Sequence, residues 1–338
     1  MNPLSPKALM PRVQNILHQA EGDPKRLTLL HTLIALGAAA LVTLVSFLLD
    51  RQIENAVGIS GMEMRTALQT AQTVLRIVLT LLSPLWEAGM LFLGLRLVRD
   101  GEVVSRDLGE GLRRFGAMIR LLVLELILLF AVGIITAYIS SAIFMATPFS
   151  MAFSQAFAPL VEGMNAMNDT LVIDEAMLQS LLPTMRPMLV IWAAAFAALG
   201  LPVWYRLRMT RRQLLSDEQH GAFAALMVSL RTMKGRRLSL LRLDLHFWWY
   251  YLLQLLLIGV CNGDVVLGLL HIQTPLSQDG MFFLCYFLYL AGRLLLLWQM
   301  RAQVETANAL FWETAKSTPI VKKQPDPSTF PWDYNETK

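Results

Sequence analysis

Three ionisable residues stand inside otherwise apolar runs of this chain: Glu87 in LWEAGMLFLGLRLV, Glu125 in LLVLELILLF and Arg293 in YLAGRLLLLW. A charge at the centre of a membrane-spanning helix costs about 3 kcal/mol on insertion scales, so each one needs a partner or a purpose. Glu87 falls about eight residues before the end of its run, Glu125 about eight after the start of its own, and Arg293 about seven before the end of its run. At about 1.5 Å per residue all three sit at one depth, roughly 10–12 Å from the same boundary. Two carboxylates and a guanidinium at one level could form a buried cluster that relays protons or binds a polar headgroup. The same residues could equally be structural ion pairs that set which helices adjoin. Both readings stay open from the sequence.

A second candidate set is basic. Arg206, Arg208, Arg211 and Arg212 form one cluster, and Arg236 and Arg237 follow a glycine in MKGRRL. Such clusters attract anionic lipid headgroups, and they also set topology. Other chemistry is poorly supplied. His18, His31, His220, His246 and His271 are scattered, with no pair at helical spacing to bind a metal. Phosphate loops, dinucleotide glycine fingerprints and Gly-x-Ser-x-Gly elbows are missing, so no catalytic residue, cofactor or metal is expected. Met145, Met151, Met164, Met167, Met177, Met185 and Met188 crowd one stretch, but without His or Cys beside them an adaptable interfacial helix is expected rather than a Cu(I) site. Cys261 and Cys285 could reach one another near the ends of adjacent spans; two unpaired, packed thiols are the expectation.

The elements that must position these residues are helices in a bilayer. Hydrophobic residues make up 55% of the sequence and charged residues 16%, against about a quarter in soluble domains. The fold class expected is all-α, a polytopic bundle of six spans at about 27–49, 74–98, 119–146, 187–204, 247–270 and 281–300, with in-plane amphipathic helices, a short one at 105–118 among them, and a further helix at 301–316. Residues 1–26 form a polar leader to the bundle, the spans and their loops occupy 27–316, and the Pro-punctuated stretch 317–338 is expected to be disordered. The first run is too long for a signal-peptide core and is expected to be retained. Small residues, Gly37 to Ala40 in one span and Gly133, Ala137 and Ser141 in another, offer sites for close helix approach. Pro84 and the Gly200–Pro202 pair interrupt two spans as expected discontinuities.

Charge gives the orientation. From 206 to 242 nine basic residues face only Asp217 and Glu218, and six arginines lie between 96 and 120. The connections at 50–65 and 147–186 lean acidic. Positive-inside bias then puts both termini in the cytoplasm. The net charge of +4 is explained by that bias, and nucleic acid is not an expected partner. Within the basic region an amphipathic helix from 221 should end at Gly235 in a left-handed turn, with Phe247 to Tyr251 as an interfacial aromatic block.

Several motifs carry a resemblance. SLRTMKGRRLSLLRLDLHFWWYYLL (229–253) resembles an uncharacterised family of bacterial multi-pass membrane proteins, known only as a domain of unknown function. SPLWEAGMLFLGLRLVRDGE with DLGEGLRRFG (83–116), GLPVWYRLRM (200–209) and ANALFWE (307–313) are similar to the family's other signatures, in the same order over about half the chain. Val203 stands where glycine is usual, Trp312 where tyrosine is, and Ala302-Gln303 replace the family's Pro-Tyr. The resemblance implies a polytopic helical protein of the bacterial cytoplasmic membrane, and it supplies no activity. The functional expectation is a non-enzymatic scaffold or assembly protein whose basic face meets anionic lipid, with a protein partner or a second copy of itself. The alternative is a transporter or permease-like protein using Glu87, Glu125 and Arg293.

Overall fold

The computed structural model describes residues 3–55, 59–165, 175–217, 221–263 and 277–318. The chain is all-α, and its order is α1 Pro6–Gln19, α2 Pro24–Asn55, α3 Ile59–Arg99, a 3-10 turn Ser105–Gly109, α4 Glu110–Arg113, α5 Phe115–Met145, α6 Phe149–Asn165, α7 Glu175–Leu207, α8 Thr210–Ser216, α9 Ala222–Thr232, α10 Arg237–His246, α11 Trp248–Cys261 and α12 Gln278–Ser317. Five helices are long and apolar enough to cross a membrane, and a sixth span results if α10 and α11 are one segment bent by 68°. The protein is therefore a multi-pass membrane protein. The disordered tail expected at 317–338 lies outside the described residues from 319 onward, as do 264–270 of the fifth expected span and 166–174 of the acidic connection.

Several expected boundaries move. The sixth span and the helix after it are one uninterrupted helix, α12. Its sequence turns from apolar to polar near residue 300, yet no Gly or Pro stands between 293 and 318 to stop it. The segment 105–118, expected as a short amphipathic helix, is instead the 3-10 turn, α4 and the first turn of α5. Neither Pro84 nor Pro202 breaks its helix. Proline removes one helical hydrogen bond, which neighbouring helices can compensate within a bundle. The real discontinuity is at Phe247, between α10 and α11. Gly235 does adopt the left-handed conformation expected of it, at φ +80°.

Two packing regimes share the molecule. At the end that carries the arginines, one buried apolar cluster joins Leu9 and Val13 of α1, Leu85 and Leu95 of α3, Leu121 of α5, Leu214 of α8, Leu240 of α10 and Phe311 and Trp312 of α12. The C-terminal half of α12 is enclosed on nearly every side, with Ala302, Val304, Ala307, Ala309, Leu310, Phe311, Trp312 and Ala315 all buried. Away from that end the helices present apolar side chains outward: Phe130 is 69% exposed and Phe287 66%. A surface of that kind is stable only where the solvent is hydrocarbon.

Among the described residues the long helices form two groups. α12 packs on α2, α3 and α11, while α5 packs on α7 with α6 beside them. Extended contact between the groups runs through the short helices α8, α9 and α10 and through α4, not along the spans. Within the first group, His31 of α2 and Trp86 of α3 stack with ring centroids 4.8 Å apart and exchange hydrogen bonds with each other's backbone carbonyls. Close approach occurs at glycines other than those the small-residue patterns suggested. A Cβ on Gly89 would stand 2.0 Å from the Leu108 carbonyl oxygen, and one on Gly111 2.0 Å from that of Leu85, so the 3-10 turn and α4 lie directly on the α3 backbone. Gly37 and Gly133 have open space at the same position. Alanine normally stabilises a helix interior by about 0.5–1 kcal/mol over glycine. Gly89→Ala and Gly111→Ala should nevertheless lower the thermal unfolding midpoint in detergent, while Gly37→Ala and Gly133→Ala should leave it unchanged or raise it.

Candidate functional site

α12 supplies the first wall of a site because its spacing allows it. Arg293, Leu297, Arg301 and Glu305 recur every four residues and so share one face of the helix. Opposite them stand Glu87 and Leu91 of α3, Glu125 and Leu129 of α5, Trp204 and Leu207 of α7, and Tyr250, Tyr251 and Gln254 of α11. Arg208, at the α7–α8 junction, and Arg211 and Arg212 of α8 close the floor with Val304 and Asn308. Together these residues enclose a cavity of about 440 Å³. It lies where the two helix groups meet, and from Asn308 to Arg293 it follows α12 for about 22 Å at 1.5 Å per residue.

Nearly every charge in the wall is matched by a neighbour of opposite sign. Arg301 pairs with Glu87, joining α12 to α3. Arg211 Nη2 and Nε both donate to Glu125 Oε2, at 2.8 and 3.1 Å, joining α8 to α5. Arg212, only 4% exposed, pairs with Glu305 and so joins α8 to α12. Adjacent residues of α8 thus reach into different helix groups. Arg208 pairs with Asp244 of α10, which also accepts from the Tyr205 hydroxyl at 2.9 Å and the Tyr251 hydroxyl at 3.2 Å. Arg208 donates as well to the Tyr251 hydroxyl at 3.1 Å and lies over the Trp204 ring.

The three residues singled out by intramembrane charge line this one cavity, but they do not pair with one another. Glu87 and Glu125 are taken by Arg301 and Arg211. Arg293 donates to the Tyr289 hydroxyl one turn away and stacks over that ring, and among the described residues it has no carboxylate partner. Five guanidinium groups line the wall against Glu87, Glu125 and Glu305, with Asp244 behind Arg208 as a fourth carboxylate. One positive charge is left over. On the floor, Arg212 Nε and Asn308 Oδ1 are buried without a protein partner.

The basic set is placed less uniformly than a flat lipid-facing patch. Arg208, Arg211 and Arg212 turn inward onto carboxylates. Arg236 is buried and donates to the carbonyls of Ala315 and Thr318, capping the end of α12. Burial lowers its pKa from the usual guanidinium value. Arg206 and Arg237 are half-buried and pair with no carboxylate among the described residues. Arg301, Glu305, Asp244, Tyr250, Tyr251 and Gln254 were not foreseen as site residues. The signal for the first two was the four-residue period from Arg293, which splitting α12 into two helices concealed.

Cys261 and Cys285 are not joined in a disulfide. Among the described residues no group of three His, Cys, Asp or Glu side chains could hold a metal ion. Compared with protein-family models, with curated protein sequences and with solved structures, the chain matches none.

The Arg212–Glu305 pair gives a test of whether this network holds the helix groups together. Removing one partner of a buried pair leaves an uncompensated charge and costs about 3–5 kcal/mol, whereas removing both costs far less. Glu305→Gln should therefore sharply lower the unfolding midpoint, and adding Arg212→Met should recover most of the loss. The same cycle on the exposed pair Arg51–Asp279 should show little coupling.

Proposed function

We propose that this is a non-enzymatic, anion-binding membrane protein, one that takes an anionic group into the arginine-lined cavity and serves there as an assembly or interaction partner. The observation that carries the reading is the leftover positive charge of that cavity, centred on Arg293. A half-buried guanidinium whose neighbour is a tyrosine rather than a carboxylate attracts a counter-ion. Three features support a binding role over a catalytic one. Each glutamate in the lining is engaged by an arginine, so no carboxylate stands ready as a general base. The lining contains no Ser, Thr, Cys or His to act as a nucleophile. Arg293, which has no carboxylate partner among the described residues, leaves guanidinium N–H groups for a bound group.

The basic end belongs in the cytoplasm on this reading, with both termini there, in the cytoplasmic membrane of a bacterium. The support is the arginine-rich content of the segments around α8 to α10 and between α3 and α5, and the family resemblance of the motifs at 83–116, 200–253 and 307–313. Transport is the second reading. The break between α10 and α11 beside the cavity favours it, while the unbroken courses of α3 and α7 through their prolines remove the discontinuities it was expected to use.

Soluble anions test the binding role. A ligand at a hundred times its dissociation constant stabilises the folded state by about 2.7 kcal/mol. Pyrophosphate or glycerol phosphate should raise the unfolding midpoint of the purified protein by several degrees over chloride at equal ionic strength, and Arg293→Gln should abolish the rise. Equal midpoints in all three salts would remove the basis for an anion site.

A further inference from the structure

We propose that the cavity's ligand is a single anionic membrane lipid, which enters sideways between the two helix groups and sets its phosphate against Arg293; this rests on the anion-binding reading above. α5 and α7 make no extended contact with α3, α11 or α12 among the described residues, so the spans diverge from the short helices that join them. A gap of that kind inside a bilayer does not stay empty, since its lining would lose its dispersion contacts, and an apolar gap does not hold water. Acyl chain is the material at hand. The apolar side chains that line the cavity between the two groups suit it: Leu91 of α3, Leu129 of α5 and Leu297 of α12.

Arg293 stands where that gap meets the cavity. It is the residue of the α12 stripe farthest from the basic end, and Leu129 of α5 and Leu297 of α12 line the cavity with it. On the membrane side of Arg293 the surfaces are apolar; on the other side come Arg301, Arg211, Glu125, Glu87 and Glu305. A molecule matched to both halves has an apolar chain and an anionic head. A phosphodiester supplies acceptor oxygens for the Arg293 guanidinium, the cation without a carboxylate, and leaves the four arginine–carboxylate pairs intact. The head's remaining polar atoms face Tyr250 and Gln254, which line the same cavity. A free phosphate would satisfy Arg293 but leave the gap unfilled, so the two sources of the same chemistry are separable.

Native mass spectrometry of the full chain in neutral maltoside detergent tests this, with phosphatidylglycerol, phosphatidylcholine and glycerol phosphate as probes. Phosphatidylglycerol should be retained about tenfold better than phosphatidylcholine, whose phosphodiester is the same but whose quaternary ammonium would be set among the cavity's arginines. Arg293→Gln should remove that preference, and Arg293→Lys should restore part of it. Leu129→Trp, which narrows the gap without touching a charge, should weaken phosphatidylglycerol retention while glycerol phosphate still raises the unfolding midpoint. Equal retention of the two lipids, or retention unchanged in Leu129→Trp, would overturn the lipid inference. If glycerol phosphate still binds in that case, the anion site stands and its ligand is soluble. If neither glycerol phosphate nor phosphatidylglycerol binds, both readings fall together. Leu129→Phe serves where the tryptophan variant does not fold.

Discussion

A guanidinium removed from water has to find a carboxylate, and much of the basic end of this protein is arranged by that requirement. Arg301 and Glu305 lie one turn apart on α12, so their partners must come from two directions. Glu87 on α3 meets the first and Arg212 on α8 the second. Because Arg211 is the next residue and pairs with Glu125 on α5, the short helix α8 has to sit between the two helix groups. Arg208 then fixes α10 through Asp244, and Asp244 is held by two tyrosine hydroxyls as well. Two of these pairs stop α3 and α8 sliding along α12, and the other two tie α5 to α8 and α10 to the α7–α8 junction. The apolar cluster around Phe311 and Trp312 supplies cohesion at the same end, but cohesion alone would not specify which helix faces which.

The contrast between the two ends follows from the solvent each one meets. Near the arginines, side chains are excluded from water by one another, and glycines such as Gly89 and Gly111 let backbones touch. Along the spans, exposed leucines and phenylalanines gain nothing from facing a neighbouring helix instead of a lipid chain, because both are hydrocarbon. Association of membrane helices then depends on close packing and polar contacts, and those are concentrated where the charges and glycines are. Divergence of the spans is the expected result. Within the first group the His31–Trp86 pair and the Gln72–Asp50 hydrogen bond keep α2 on α3, and Thr43 meets the Tyr286 hydroxyl of α12.

The fold class was legible because it rests on long apolar runs, and the left-handed turn at Gly235 because only glycine suits it. Helix ends were less legible. Residues 293–318 change from apolar to polar, and a change of solvent reads in a sequence like a change of element although the backbone continues unbroken. That misreading hid Arg301 and Glu305, which belong to the same stripe as Arg293. The proline breaks were overread for a related reason: a missing N–H matters less when the surrounding helices hold the rod straight. Glu87, Glu125 and Arg293 were identifiable one at a time from their cost in a membrane. That they share a cavity, yet each look to a different partner, depends on contacts more than eighty residues apart in sequence, such as Arg211 with Glu125. No local pattern carries that information.

The same reasoning separates Arg293 from the other arginines of the site. Arg208, Arg211 and Arg212 each complete a pair whose loss would strand a largely buried carboxylate, and Arg301 is itself the buried member of its pair with Glu87, so all four are tied to the structure. Arg293 completes none. Its contacts are to Tyr289 on its own helix, which fix its rotamer but bring no second element into place. Replacing it by a leucine would lengthen the apolar face of α12 and would remove an intramembrane charge that costs about 3 kcal/mol. Packing alone does not account for a residue held in that pose at the edge of a cavity. The sign of its charge and its depth among leucines fit the proposed occupant, an anion that arrives attached to hydrocarbon.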